Sequence, residues 1–267
     1  MAIRHQETDR LPRGELLVEE AFLDRLYPER TDDPFTEKLR LLVEEVGLDL
    51  VTVRIRNGER AEKGLRELKK WAIETPYFAM ALVDGLFWKS EDPVSFEEFI
   101  LGLCRAEGRI LELIQIKKKR ALQLIQRGLD EGALGFIIGD DLAHNRGPFV
   151  SPEHLRRWFF PGLQEMVEAI KKGSGVAFLH SCGNLTGIIE LILSLGFDGL
   201  HGLAPSAGND PLAIRQKTRK RLALMGICEV DRLKPRQIEA MKEEIILPLA
   251  AGGGYILGSA EGLSANT

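Results

Sequence analysis

The residues with the clearest chemical potential are His180 and Cys182, which follow an apolar run at residues 176–179. Side chains two positions apart on a strand point to the same face, so this imidazole and thiol can meet on one side of a sheet. Imidazole nitrogen and thiolate sulfur are favoured zinc ligands, and a catalytic zinc site needs a third protein ligand and an open position. The pair therefore predicts a metal site. The alternative is a histidine and a cysteine that are simply buried in the core.

A third ligand must come from another segment of the chain. Glu261, which follows the last apolar run, is the first choice, because carboxylate oxygen also binds zinc. Cys228, at the end of the preceding run, is the second choice, with an ordinary buried thiol as an equally good alternative. The further candidates, in order, are Glu229, His201, and the pair Asp140 and Asp141.

These residues lie at the ends of apolar runs that alternate with amphipathic stretches of helical length. Near-continuous apolar runs are typical of parallel strands covered by helices. After Ser151, a helix cap followed by proline, apolar residues recur with helical spacing. Eight strands alternating with helices predict a (β/α)8 TIM barrel, one domain over residues 1–267, with a doubly wound open sheet as the alternative. The predicted strands are 16–18, 48–55, 77–83, 134–138, 176–179, 197–203, 222–227 and 255–257.

Ionisable residues follow most of the predicted strands, at the end of a barrel where function collects. Asp140 and Asp141 are adjacent and point in opposite directions within a strand. One should face the barrel mouth as an acid, base or metal partner, and the other should bond backbone amides of the following loop. Arg54 and Arg56 share a face and are expected to hold an anionic part of a ligand, with a salt-bridged rim as the alternative. Asp84, which follows the third predicted strand, is open to the same alternatives as the aspartate pair: a functional group at the mouth or simple turn chemistry.

Composition argues against a nucleic-acid partner, a disulfide-bonded fold and a membrane protein. The chain has 36 basic and 40 acidic residues, a net charge of −4, so no basic excess points to nucleic acid. Three cysteines in 267 residues do not form a disulfide framework, and no apolar run approaches the ~20 residues of a membrane span. With a polar N-terminal segment, the sequence predicts a cytoplasmic protein with no membrane association. The basic cluster at 117–120 predicts a solvated helix face.

Several motifs resemble those of the uroporphyrinogen decarboxylase superfamily, whose fold is a (β/α)8 barrel. They include FLHSCGN at 178–184, GFDGLH at 196–201 and GGGYILG at 252–258. The superfamily's decarboxylases use no metal and carry an N-terminal Arg-Gln-Ala-Gly-Arg-Tyr segment, which is absent here. Its corrinoid-dependent methyltransferases bind zinc with a His-x-Cys motif and a later cysteine. His180 and Cys182 match that motif, and Glu261 stands in place of the later cysteine.

The resemblance implies a methyltransferase that uses zinc and a corrinoid carried by a partner protein. A methyl group would move between the corrinoid and a small methyl donor or acceptor. Two alternatives are a decarboxylase of a tetrapyrrole polycarboxylate and a non-catalytic homologue that binds a corrinoid or tetrapyrrole. The residues expected to take part in catalysis are Asp140, Asp141 and His201, the last as a substrate donor or a support for a ligand. The residues expected to bind substrate or corrinoid are Arg54, Arg56, Asp84 and Asn184.

Overall fold

The computed structural model of the chain describes residues 2–218, 221–265 and 267. Seven parallel strands form one curled sheet, in the order β1-β2-β3-β6-β7-β8-β9. Strands β4 and β5 form a separate antiparallel hairpin after β3. The strands are β1 (Leu50–Arg54), β2 (Phe78–Asp84), β3 (Gly135–Gly139), β4 (Ala143–His144), β5 (Gly147–Pro148), β6 (Val176–His180), β7 (Gly199–His201), β8 (Ala223–Met225) and β9 (Tyr255–Ile256).

The N-terminal segment closes this sheet into a barrel. Arg13 bridges to Leu257 beyond β9, and Gly14 bridges to Leu50 of β1, both in parallel. The Gly14 amide donates to the Leu257 carbonyl at 2.9 Å, and the Leu50 amide donates to the Arg13 carbonyl at 3.1 Å. The eighth strand position is thus filled a few residues before the predicted strand at 16–18. The (β/α)8 barrel is confirmed, and the alternative of a doubly wound open sheet is wrong because the two sheet edges are joined.

Apolar side chains cover both faces of the barrel wall, the face toward the interior and the face toward the helices. Inward-facing residues, among them Leu50, Met80 and Phe178, form the interior cluster. Their outward-facing neighbours, such as Val51 and Leu179, belong to the larger cluster that includes helix residues. Each fully buried aliphatic side chain contributes about 1.5–3 kcal/mol, and burial on both faces explains why the strands are apolar without alternation.

Helices connect the strands and cover the outside of the barrel. Helix α6 begins where the sequence predicts, with the Ser151 hydroxyl accepting from the His154 amide and proline in the first turn. None of the described helices is both long and apolar enough to cross a membrane. The α-helices are α1 (Glu20–Leu26), α2 (Phe35–Val46), α3 (Ala61–Glu74), α4 (Phe96–Cys104), α5 (Gly108–Asp130), α6 (Pro152–His154), α7 (Phe160–Lys172), α8 (Ile189–Ser194), α9 (Pro211–Thr218), α10 (Pro235–Met241) and α11 (Leu247–Ala250). Short 3-10 turns lie at Ala2–Arg4, Gly58–Arg60 and Pro205–Ala207, and π-helical turns lie at Leu155–Phe159 and Lys242–Ile246.

Candidate metal centre at the barrel mouth

The loop after β6 turns the Cys182 side chain back toward the strand that it has just left. Ser181 is buried, and its hydroxyl accepts from the Leu142 amide at 2.9 Å. Gly183 has φ +82°, and a Cβ there would lie 2.3 Å from the Ala143 carbonyl oxygen. Only glycine adopts that conformation at that distance without strain. The loop is therefore pinned against the segment that follows β3.

Asp141, His180 and Cys182 form a compact group at the carboxyl ends of β3 and β6. The Cys182 Sγ lies 3.6 Å from the His180 Nε2, and that nitrogen lies 3.9 Å from the Asp141 Oδ1. One ligand atom from each residue lies within 4.8 Å of the other two. In the part of the chain that the structure describes, this is the one such group of three potential metal-binding side chains.

Two of the three separations between the candidate ligand atoms are close to those around a tetrahedral zinc ion. Zinc binds nitrogen, oxygen and sulfur at about 2.0–2.3 Å, which places tetrahedral ligand atoms about 3.3–3.8 Å apart. The observed sulfur–nitrogen and nitrogen–oxygen separations of 3.6 and 3.9 Å are close to that range. Burial lowers the pKa of His180 to about 4, so its imidazole is neutral, as metal binding requires.

The charges around Cys182 also fit a site built for a cation. Burial, and then the negative charges of Asp141 and Glu261, raise the pKa of the Cys182 thiol to about 12. A thiol in such surroundings becomes a thiolate only when a positive charge is placed beside it, which a bound divalent ion supplies. The donor set of one carboxylate, one neutral imidazole and one thiol therefore matches zinc.

Lys89 forms an ion pair with the Asp141 oxygen that points away from His180. Its ammonium lies 3.4 Å from the Asp141 Oδ2, while the Asp141 Oδ1 accepts from the Cys182 amide at 3.0 Å. Burial by itself raises the pKa of Asp141, but the charge of Lys89 and the hydrogen bonds from Lys89 and the Cys182 amide oppose it, and the pKa is lowered. Asp141 is consequently ionised, and its Oδ1 is the atom directed toward His180.

A second imidazole supports His180 from inside the barrel. The Nδ1 atoms of His180 and His201 lie 2.8 Å apart, and both rings are buried. When the His180 Nε2 lone pair binds a metal, its Nδ1 carries the hydrogen and can donate it to the His201 Nδ1. Burial and the neighbouring His180 hold the pKa of His201 well below its usual value. His201 is therefore a neutral acceptor that fixes the orientation of the His180 ring.

The C-terminal two thirds of the sequence matches the family model for uroporphyrinogen decarboxylase (URO-D), over residues 95–267. The chain belongs to the uroporphyrinogen decarboxylase family. The match includes β6, β7 and the loops that carry Asp141 and Cys182. A sequence search among curated proteins finds no significant match.

Solved structures with the same barrel include proteins of several activities. A methyltransferase from Methanosarcina mazei superposes with a TM-score of 0.77 at 17% identity, over 99% of this chain and 91% of the other. A B12-independent methionine synthase from a Shewanella species has a TM-score of 0.60 at 11% identity, over 99% and 92%. The 3-keto-D-glucoside 4-epimerase of E. coli has a TM-score of 0.57 at 15% identity, over 95% and 92%. At such low identity these similarities establish the fold alone.

Asp141 is the last-ranked of the predicted third ligands, together with Asp140, and the higher-ranked candidates lie outside the group. Glu261 is exposed and lies outside the compact group, although its charge acts on Cys182. Cys228 is half-buried near Glu15 and Tyr255, and burial raises the pKa of its thiol to about 11. Glu229 instead accepts from the Ser206 amide at 2.9 Å.

Strand register explains why Asp141 joins the group. β3 and β6 are adjacent parallel strands, and Gly139 is paired with His180. Two residues further along, Asp141 and Cys182 lie side by side, joined by the bond from the Cys182 amide. The sequence contains both residues, but it does not show which strands are adjacent in the sheet or in what register they pair.

Two other residues expected in the site are engaged with the backbone of neighbouring loops. Asp140 is fully buried, and its Oδ1 accepts from the Phe87 amide at 2.6 Å, which fastens the loop after β2. Burial raises the pKa of Asp140 to about 6. The Asn184 amide donates to the Gly208 carbonyl at 3.1 Å, and its oxygen accepts from the Thr186 amide at 3.0 Å.

The basic residues lie on the β1–β2 side of the mouth. Arg54 is 3.2 Å from Asp84, and Arg56 is exposed and lines the same cleft, which also contains Lys89. Lys89 was not predicted, because no pattern distinguishes a lysine in the loop after β2 from a solvated one. The expectation of a solvated helix face at 117–120 is wrong for Lys117, which is buried and lies 2.6 Å from Asp92.

Proposed function

We propose that the chain is a zinc-dependent methyltransferase that moves a methyl group between a small substrate and a corrinoid carried by a partner protein. The observation that supports this most directly is the convergence of Asp141, His180 and Cys182 at the barrel mouth. Two of these residues form the His-x-Cys motif by which the sequence resembles the zinc-binding methyltransferase branch of the superfamily. A Methanosarcina mazei protein with this fold is a methyltransferase.

A zinc ion bound by Asp141, His180 and Cys182 would act as a Lewis acid on the heteroatom that gains or loses the methyl group. The protein's own residues prepare the site for that role. His180 is kept neutral by burial and oriented by His201, so its Nε2 lone pair is available. Lys89 holds one oxygen of Asp141 and leaves the other for coordination.

The position of the site at the mouth of the barrel suits a transfer between a small substrate and a corrinoid on a partner protein. Functional groups of βα barrels collect at this end, where loops can bind a substrate while the opening admits a corrinoid. Methyl transfer is an in-line displacement, so the rate depends on holding the heteroatom and the cobalt in near-attack geometry. Of the two adjacent aspartates, Asp140 is fully buried, whereas Asp141 is paired with Lys89, which lines the cleft, so Asp141 is the better placed to act on substrate.

Elemental analysis combined with a methyl-transfer assay tests the proposal. We expect about one zinc per chain, and loss of that zinc in His180→Ala and Cys182→Ser. Cys104→Ser is the matched control, because Cys104 is an exposed free cysteine on α4. Transfer is followed by the visible spectrum of a corrinoid incubated with a panel of methyl donors and thiol or folate acceptors.

Three results would contradict the proposal. The first is a folded protein that binds no zinc when zinc is supplied. The second is zinc that stays bound in His180→Ala. The third is decarboxylation of a tetrapyrrole polycarboxylate that proceeds after metal removal, which would favour the metal-free chemistry of the other branch. Zinc binding without methyl transfer to any corrinoid would favour the non-catalytic homologue.

A further inference from the structure

A cleft of about 420 Å³ opens beside Asp141, His180 and Cys182, called the metal group below, and is lined mainly by basic side chains. Its walls come from the segment after β1, the loop after β2, and helix α5. Lys89 connects the cleft to the metal group, because it lines the cleft and lies 3.4 Å from Asp141. The six basic residues that line the cleft are Arg54, Arg56, Arg60, Lys89, Lys117 and Arg120.

Half of these positive charges are matched by a carboxylate. Arg54 lies 3.2 Å from Asp84, and Lys117 lies 2.6 Å from Asp92 in a buried pair. Lys89 is paired with the aspartate of the metal group, as described above. These three basic residues are therefore explained by the structure of the mouth itself and do not require a ligand.

The other three basic residues have no such explanation. Among the side chains that the structure describes, which exclude that of Glu59, no carboxylate lies within ion-pair distance of Arg56, Arg60 or Arg120, although all three line one cleft. The remaining acid in the cleft is Glu91, which is exposed and accepts from the Ser90 hydroxyl at 3.2 Å. A backbone hydrogen bond, with smaller contributions from Arg54 and Arg56, lowers the pKa of Glu91, so one carboxylate faces the charges of several arginines. Three exposed arginines that line one concave space give it a positive potential, which attracts an anion.

We propose that this cleft is a binding site for a small molecule that carries two or more carboxylate or phosphate groups, held by Arg56, Arg60 and Arg120. The planar fork of arginine binds such oxyanions in pairs of parallel hydrogen bonds, which favours arginine over lysine at these positions. The volume of about 420 Å³ suits a small molecule rather than a protein segment.

The position of the arginine cleft next to the metal group suits a substrate-binding role. An anion held by the three arginines would extend toward Lys89 and the metal group that this lysine borders. On the methyl-transfer function proposed above, the anionic groups anchor the substrate while its methylated heteroatom reaches the metal group. Anion binding itself requires neither the metal nor the corrinoid, so the two proposals can fail separately.

Isothermal titration calorimetry on the full chain tests the site with three probes. Pyrophosphate and tricarballylate, a tricarboxylate, distinguish phosphate from carboxylate recognition, and acetate is the singly charged comparison. We expect at least one polyanion to bind more tightly than acetate, and that affinity to fall as salt is added. Arg56→Gln, Arg60→Gln and Arg120→Gln should each weaken binding about tenfold.

Arg109→Gln is the matched control, because Arg109 lies on the same helix as Arg120 and is already paired with Glu107 at 3.0 Å. Affinity equal to the wild type in all three cleft variants would overturn the inference, as would polyanions that bind no better than acetate. Zinc content and methyl transfer are measured on the same preparations. Polyanion binding without zinc contradicts only the proposed function, whereas zinc and methyl transfer without polyanion binding contradict only this inference.

Discussion

The imidazole of His180 has a different partner at each nitrogen, and this arrangement determines what it can bind. Its Nε2 faces the Cys182 thiol, while its Nδ1 contacts the His201 Nδ1 at 2.8 Å. A hydrogen-bond acceptor behind a metal-binding histidine fixes the tautomer and the ring orientation. His201 is thus a positioning residue, buried and out of reach of a substrate in the cleft.

We expect His201→Phe to reduce zinc affinity about 10–100-fold, because the His180 Nδ1 then has no acceptor. His201→Gln should reduce zinc affinity less than His201→Phe, since the glutamine oxygen can accept the same hydrogen. Zinc affinity is measured by competition with a chromogenic chelator, alongside circular dichroism to verify folding. Met225→Leu, at the position paired with His201 on the next strand, is the control and should bind zinc normally. Wild-type affinity in His201→Phe would refute the positioning role.

At the scale of the element, the loop between β6 and α8 depends on one glycine. Gly183 has a left-handed backbone, and its Cα faces the Ala143 carbonyl at the start of the β4–β5 hairpin. The bonds from the Leu142 amide to Ser181 and from the Cys182 amide to Asp141 join the same two loops. The group of Asp141, His180 and Cys182, the candidate metal ligands, is therefore assembled by contact between loops on neighbouring strands.

Gly183→Ala should destabilise the protein by about 2–4 kcal/mol and weaken zinc binding, because the added Cβ forces the two loops apart. Gly187 provides a matched control in the same connection, since a Cβ there meets nothing within 4 Å. Urea unfolding and zinc titration of both alanine variants make the comparison. Equal effects at the two positions would show that the close approach at Gly183 does not matter.

At the scale of the whole molecule, the barrel is closed by contacts between its first and last segments. The Ser259 amide donates to both carboxylate oxygens of Glu15, at 3.1 and 3.2 Å, and the Ser259 hydroxyl donates to Glu15 as well. Burial raises the pKa of Glu15 to about 7, although these hydrogen bonds oppose the shift. The closure of the barrel thus contains a carboxyl group that is protonated more readily in the folded chain than in the unfolded chain.

Stability should fall with rising pH through this group. Because the folded-state pKa of about 7 exceeds the unfolded value of 4.5, the folded chain retains a proton that the unfolded chain releases. The contribution is fully present below pH 4.5 and is lost as pH rises through about 7, a change of about 3 kcal/mol. In Glu15→Gln, the free energy of unfolding measured with urea should not show this decrease between pH 4.5 and about 7.

Glu20→Gln, at an exposed position in the first turn of α1, is the control and should follow the wild-type pH dependence. A constant free-energy difference between wild type and Glu15→Gln at every pH would contradict the assignment to Glu15.

The sequence was sufficient for the properties that depend on local pattern. Apolar runs of strand length, separated by amphipathic stretches, indicate the barrel because each strand is buried on both faces. The His180–Cys182 spacing places both residues at one strand end, where the structure has them 3.6 Å apart. Both inferences depend only on how side chains repeat along the chain, every two residues in a strand and every three to four residues in a helix.

Properties that depend on which strands are neighbours required the tertiary structure. Asp141 rather than Glu261 joins the metal group, because β3 pairs with β6 in a register that aligns Gly139 with His180. The unpaired arginines come from a turn and a distant helix, and Lys89 comes from a loop. Side-chain periodicity describes one element at a time, whereas a site at a barrel mouth is formed by the register and packing between elements.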